Sequence, residues 1–391
     1  MKITYINTLY RPEKIIGGAE RSVELLAQWL KNKHQVSVIS LHPSRGIFEK
    51  NLDGVQVTYI GLQNLYWPFE QRNKDPLPKL LWHILDTWNV AMARMIKSIL
   101  EKQGPDIVHT HVLTGFSSSV WQSAKQLHVP IVHTLHDYSL LCPKSTMFKN
   151  GKNCQHCLDC TVLAVPRIRS TNSVDAVTGV SQYILNRHLE LGAFKKTPIR
   201  TVISNMSEHF HEKAHYNLIP GQLRLGFMGR LHPTKGVEVL LECVMKLANP
   251  SITLYIAGSG SSEYESYLKT RFVGSNIHFL GFVRPEFLFE KIDVLVVPSL
   301  WHEPLARVCV DALEYGIPVI GSRRGGIVNL IVDGENGFLF EPGQPTELSR
   351  IIKYIKSHPK LLTKMHLKTL ESQFSNKSYE DYLKLYKDLL N

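Results

Sequence analysis

Residues 294–322 read VLVVPSLWHEPLARVCVDALEYGIPVIGS, and this stretch decides the fold. An apolar run, Val294 to Pro298, is short enough for a buried strand, and a second, Ile317 to Ile320, follows a Gly-Ile-Pro break. Between them Leu305, Val308, Cys309, Ala312 and Leu313 recur at three- and four-residue steps, which marks a helix with one face on a sheet. Pro304 suits the first turn of that helix and Gly316 its stop. The unit is therefore strand, helix, strand, with the helix N-terminus beyond the strand ends. Such a terminus attracts anions, because its first amides lack intrahelical partners and the helix dipole favours negative charge. Glu303 sits just before it and repels a free phosphate. The expected ligand therefore carries hydroxyls for Glu303 as well as phosphate for the amides.

A chain of 391 residues exceeds one hydrophobic core and suits two domains of roughly 150–200 residues each. With 43% hydrophobic and 20% charged residues it is globular. No uninterrupted apolar run approaches the ~18 residues of a spanning helix. The opening MKITYINTLY reads as a strand and not as a leader, so the expectation is a cytosolic chain. The net charge of +11 is uneven: residues 1–205 hold 24 Lys and Arg against 14 Asp and Glu, and residues 206–391 hold 21 against 20. A basic first half either serves solubility or meets an anionic partner such as nucleic acid, anionic lipid or a phosphorylated substrate.

Outward from the deciding stretch, the same alternation recurs. Lys2 to Leu9 is a strand, Gly17-Gly18 opens a helix through Leu30, and strands follow at Gln35–Leu41 and Gln56–Ile60. The two glycines serve either a plain turn or a close backbone approach to a ligand. Residues 62–101 mix Tyr66, Trp67, Phe69 and Trp82 with Arg72, Lys74 and Lys79 before a helix reaching Leu100. Such rings either meet a membrane interface or fill the core under a long loop. DIVHTH (106–111) and PIVHTLH (130–136) read as buried strands bringing His109, His111 and His136 to carboxyl ends, where open parallel sheets bind ligands.

Cys142, Cys154, Cys157 and Cys160 follow within one loop and match the ligand set of a structural zinc. Two CxxC steps sharing Cys157 are cramped for one ion, so reduced thiols or a redox disulfide stand beside that reading. Strands at Val174–Val180 and Ile199–Ser204 close the first domain, and Asn205–Gly221 is a polar linker. The second domain starts at LRLGFMGR, where Arg230 and Lys235 flank LHPTKG before a helix. Arg is a planar fork and Lys a mobile point charge, a pair suited to a diphosphate. The turn is neither a P-loop nor a GxGxxG fingerprint.

Glu303 followed after seven residues by Asp311, with GIPVIGS (316–322) and RGGIVNLIVDGENGFLFEPG (324–343), resembles the donor-site motif of retaining glycosyltransferases of family 4. Gly-Gly-Ala-Glu at 17–20, His-Asp at 136–137 and GFMGRLHPTKGVEVLL at 226–241 extend the resemblance over nearly the whole chain. It implies an α/β GT-B fold, two Rossmann-like doubly wound parallel-sheet domains facing a cleft. Residues 1–205 would bind the acceptor and 206–375 the nucleotide sugar, with a final helix, 376–391, packing back on the first domain.

The resemblance also implies residue roles. Arg230 and Lys235 hold the diphosphate, His136 reaches the donor sugar, and Glu303 holds its hydroxyls. Asp311 takes the ribose, while Gly17, Gly18, Leu305 and Ala306 offer amides to the diphosphate. Gly258 and Val283 lie at the base. Two positions depart from the pattern: Asp311 stands where Glu is usual, with Glu314 one turn on as the alternative, and Asn329 replaces a Glu. The implied reaction moves a hexose from a nucleotide diphosphate sugar to an acceptor hydroxyl, without a metal, since no Asp-x-Asp occurs. Retention without an evident carboxylate nucleophile points to front-face attack. The basic half suggests a lipid-linked or surface-glycan acceptor, of polysaccharide or lipopolysaccharide type, and peripheral contact with the anionic inner face of the cytoplasmic membrane. An epimerase or hydrolase of nucleotide sugars on the same fold is the alternative. A nucleic-acid-binding module is another, disfavoured by Glu303 and by the lack of any recognised motif.

Overall fold

Every residue of Ile107–Thr110, Ile131–Leu135 and Val294–Val297 is buried, the pattern of parallel strands covered by helices on both faces. The computed structural model describes residues 1–11, 17–69, 75–206, 218–371 and 375–391. Arg72, Lys74 and most of the 205–221 linker lie outside the described residues. The chain divides into two units, one made of 1–147, 154–206 and 377–391, the other of 148–153 and 207–376.

The first unit holds β1 (Lys2–Asn7), β2 (Gln35–His42), β3 (Ile47–Leu52), β4 (Val55–Gly61), β5 (Ile107–Thr110) and β6 (Ile131–Leu135). A small hairpin follows, β7 (Phe148–Lys149) and β8 (Lys152–Asn153). It falls inside the span that the sequence gives to the first domain, yet its contacts place it in the second unit. Then come β9 (Ala176–Gly179) and β10 (Ile199–Val202), and the sheet order is β10-β9-β6-β5-β1-β2-β4-β3. All pairings are parallel except β3 with β4. Chain direction across the sheet reverses between β1 and β5, so the loops after these strands flank a topological switch point.

Two features of this unit differ from the sequence reading. Edge strand β3 was not expected, because IFEKNL is too polar to signal burial, but Asp53 and Gly54 at positive φ form the tight turn that joins it to β4. The expected single helix before Leu100 is two, Pro76–Thr87 and Val90–Gln103. Trp88 and Asn89 are extended, and the Asn89 side chain accepts from the Met92 amide, starting the second helix. The final helix, Ser375–Leu390, lays Tyr379, Tyr382 and Tyr386 into the first unit's core, with Tyr379 stacked on Trp29 at 4.7 Å between centroids.

The second unit holds β11 (Leu223–Met228), β12 (Ile252–Ala257), β13 (Ile277–Gly281), β14 (Val294–Val297), β15 (Val319–Ser322) and β16 (Gly337–Phe340), in the order β13-β12-β11-β14-β15-β16. All neighbours run parallel, with the switch point between β11 and β14. Its core joins the buried Val237, Leu240, Leu241 and Val244 of helix Val237–Leu247 to the sheet.

Candidate active site

In the second unit the loops leaving the carboxyl ends of β11, β12, β14 and β15 are tied together. The β11 loop carries Arg230 and, in a short turn at Pro233–Lys235, Lys235. Gly236 closes that turn at φ +68, and a Cβ there would collide with the Pro298 carbonyl oxygen. Only glycine lets the turn lie against the end of β14. The Leu300 amide then donates to the Thr234 carbonyl at 2.8 Å, fixing the two loops side by side.

This placement brings Lys235 to Glu303. Lys235 Nζ donates to Glu303 Oε1 at 2.7 Å, and Ser299 Oγ donates to the same oxygen at 2.7 Å. Glu303 is 3% exposed, whereas the Lys235 side chain keeps 30% of its surface open and lies 5.5 Å from the Trp301 ring. A buried carboxylate with a cation and a hydroxyl on one oxygen is compensated electrostatically and held in one orientation. The Gly326 amide donates to the Glu303 carbonyl at 2.7 Å, and Gly325, at φ +53, leaves no room for a Cβ against that carbonyl. Arg324 Nε adds a bond to the Leu300 carbonyl at 3.2 Å. The Arg-Gly-Gly of the sequence motif thus braces the Glu303 loop.

These braces also move the helix start. The helix runs Arg307–Tyr315, two residues later than the sequence suggests, with Ala306 at its N-cap and Gly316, at φ +93, at its stop. The stretch through Ala306 is held outside the helix by the Thr234 and Gly326 contacts. Leu305 and Ala306 are buried just ahead of the first turn. Asp311 lies on the helix, 8% exposed, with its carboxylate 3.6 Å from Arg307 Nε. The partly buried Glu314 lies one turn on, and Asn329 is exposed. Cys309 is also buried on this helix; burial first, then the Glu303 carboxylate, pushes its thiol up.

Arg230 is exposed, on the same loop as Lys235. The Gly229 amide bonds to the Ala257 carbonyl at 3.1 Å and the Leu231 amide to that of Ser259 at 2.8 Å, so Arg230 is held beside Gly258. The Gly258 amide itself donates to the Gly281 carbonyl at 2.7 Å and is not offered to a ligand. Val283 is half-buried in the loop after β13. The second unit thus gathers Lys235, Glu303 and Ser299 directly, and Arg230 and Gly258 at the neighbouring strand ends.

In the first unit, Gly17 caps helix Gly18–Leu30 and both glycines are exposed. His111 and His136 follow directly on β5 and β6, with His111 Nδ1 3.0 Å from His136 Nε2. Burial holds His136 down to about 3, so both rings are neutral and one donates to the other. His109 is committed to structure: its ring nitrogens bond Tyr386 Oη at 2.6 Å and Thr134 Oγ1 at 2.7 Å. Sequence reasoning missed this brace, whose only signal is the tyrosine stripe of the last helix.

The cysteine loop gathers less than its spacing suggests. Cys142 and Cys160 have Sγ atoms 3.9 Å apart, and all six cysteines are free thiols. His156 is engaged with the Leu141 carbonyl and Thr161. Among the described residues no three His, Cys, Asp or Glu side chains converge as metal ligands. Burial, and then the Cys142 thiol, push Cys160 up to about 12.

The membrane reading of Tyr66, Trp67, Phe69 and Trp82 is altered as well. Trp82 is buried and donates to the Tyr66 carbonyl at 2.9 Å, Tyr66 packs beside it, and Trp67 and Phe69 meet edge to face at 5.1 Å. Of these rings only Phe69 is exposed, at 43%.

Comparison with known proteins bears on the family and the fold. The model of "Glycosyltransferase Family 4" matches residues 16–205 and that of "Glycosyl transferases group 1" matches residues 210–370. An uncharacterized 42.6 kDa protein in the cps region of Klebsiella pneumoniae is 33% identical over 402 residues, covering 99% of this chain and 100% of that protein. The lipopolysaccharide core biosynthesis glycosyltransferase LpsE of Rhizobium meliloti is 31% identical over 167 residues, 40% of this chain and 48% of its own. The crystal structure of Anabaena Alr3699/HepE in complex with UDP superposes with a TM-score of 0.72 at 20% identity, over 99% of this chain and 100% of that one.

Proposed function

The chain belongs to the group 1 glycosyl transferases, with a family 4 first half and the GT-B fold, and from this premise we propose that it moves a hexose from a nucleotide diphosphate sugar to an acceptor hydroxyl with retention. The observation that carries the proposal is the Lys235–Glu303–Ser299 cluster at the head of helix Arg307–Tyr315. A carboxylate alone repels a phosphate at a helix N-terminus. Paired with Lys235 it becomes a hydroxyl acceptor beside a cation, which suits a sugar joined to a diphosphate. UDP in the Anabaena protein supports a nucleotide donor.

In this reading Arg230 and Lys235 stabilise the negative charge that grows as the sugar–phosphate bond breaks, the task that a metal performs elsewhere. Glu303 orients the sugar, and the departing phosphate accepts the acceptor's proton. Neutral His136, its Nε2 engaged by His111, offers its remaining ring edge to the sugar. Asp311 takes the ribose only by turning from Arg307. The Klebsiella and Rhizobium relatives support a surface-glycan acceptor, and the basic first half supports a lipid-linked one at an anionic membrane face. A structural zinc on Cys142, Cys154, Cys157 and Cys160 stays part of the proposal and requires this loop to close further, since among the described residues no three such side chains converge. The Cys142–Cys160 separation is close to the ~3.8 Å edge expected of thiolates at 2.3 Å from zinc.

Product analysis tests the reaction class. With a hexose nucleotide and a glycan acceptor the proposal expects one new glycoside with the donor's anomeric configuration. Free sugar, or an epimerised nucleotide sugar, as the main product at saturating acceptor would contradict it.

A further inference from the structure

Helix Pro76–Thr87 of the first unit is inside out. Its inward stripe is Trp82, Asp86 and Thr87, anchored by polar bonds: Asp86 accepts from the Gly115 amide at 2.6 Å and pairs with the buried Arg167 at 3.5 Å. Its outward face is Leu77, Leu80, Leu81, Ile84 and Leu85, each between 42% and 65% exposed. At helical spacing these five share an arc of about 140°. Helix Leu158–Ser170, which carries Arg167 and packs alongside, exposes Leu158 and Val162 at 85% and 72%. Two adjoining helices thus present an aliphatic patch on the order of several hundred Å², the size at which exposed apolar surface marks an interaction site.

We propose that this face is the bilayer contact of the protein, entering the headgroup region of an anionic membrane. Charge complementarity selects the occupant. Among the described first-unit residues of 62–103 and 140–170, Lys79, Arg94, Lys102, Lys144 and Arg169 are exposed against the exposed Asp75 and Glu101. Anionic headgroups attract such cations while the acyl boundary takes the leucines. A protein-binding surface would be expected to centre on Tyr, Trp or Arg anchors. Here Trp82 turns inward, the outward face of the helix is aliphatic, and the exposed Trp88 at its C-cap is a ring of the kind that settles at membrane interfaces. The surface deepens the reading of a lipid-linked acceptor and rests on it for its use in the cell.

The test is co-sedimentation of the full chain with phosphatidylcholine vesicles and with phosphatidylcholine–phosphatidylglycerol vesicles. The wild type is expected to pellet with the second and stay largely free with the first. Leu80→Ser/Leu81→Ser/Ile84→Ser/Leu85→Ser is expected to lose at least about tenfold in vesicle affinity with unchanged melting and unchanged nucleotide-sugar binding. Should that variant misfold, Leu158→Ser/Val162→Ser repeats the test on the neighbouring helix. Undiminished binding by the folded variant overturns the proposal, as does a wild type that pellets with neither vesicle. A dimer that the substitutions split into monomers, without vesicle binding, overturns it in favour of a second copy of the chain. Vesicle binding by a wild type that forms no glycoside leaves the surface standing and removes the enzymatic reading.

Discussion

Four histidines of the first unit, His109, His111, His133 and His188, are buried, and burial is the first cause that lowers each. Their folded pKa values lie below the ordinary value near 6.5, His188 at about 4. The stability they contribute is therefore full above about pH 6.5 and is lost as pH falls towards their folded values. Each ring that stays neutral while its unfolded counterpart protonates costs about 1.4 kcal/mol per pH unit below 6.5. At pH 5 that is about 2 kcal/mol each for His188 and for neighbouring His136, whose values are about 4 and about 3, and His109, His111 and His133 act in the same direction. Asp86 acts in the opposite sense. Burial raises its carboxyl to about 7 against the pull of Arg167, so its ionisation penalty shrinks by about 2–3 kcal/mol on going from pH 7 to 5. The balance of His136, His188 and Asp86 is a loss of about 1–2 kcal/mol, which His109, His111 and His133 deepen. For a unit of this size it lowers the urea midpoint by at least about 0.5 M. Urea titration at pH 7.5 and 5.0, with pulsed hydrogen exchange read on peptides covering β5 and β6, measures it. Loss of protection at the same urea concentration at both pH values would refute the reasoning.

Gly236→Ala forces a Cβ onto the Pro298 carbonyl and an unfavourable φ, so it should cost about 1–3 kcal/mol and spread the Lys235 loop from Glu303; an unchanged melting temperature with full transferase activity would contradict this. Elemental analysis should return close to one zinc per chain if the cysteine set closes on an ion, and less than about one tenth removes that part of the proposal.

The sheets were legible because their strands are apolar runs separated by helical periodicity: PIVHTLH and VLVVPSL could hardly be anything but buried strands. The Lys235–Glu303 pairing was not, since 68 residues separate the partners, and Gly236 against Pro298 and the Leu300–Thr234 bond, which bring their loops together, appear in the fold and not in the sequence. His109 read as a ligand candidate because a histidine at a carboxyl strand end is ambiguous until its partners are seen. The leucine face of helix Pro76–Thr87 misleads for a related reason. Helical spacing of apolar residues normally points inward, and here a buried Asp86–Arg167 pair reverses the helix.

The most direct measurement titrates UDP-, GDP- and ADP-hexoses against the wild type and Arg230→Ala, following melting temperature, since a ligand bound only by the folded chain stabilises it by mass action. Arg230 is exposed, so its loss should leave the unliganded melting point unchanged. One charged phosphate contact fewer should weaken binding about ten- to a hundredfold. The account predicts stabilisation of the wild type by one of these nucleotides and that loss in the variant; equal affinity in both, or stabilisation by none, contradicts it.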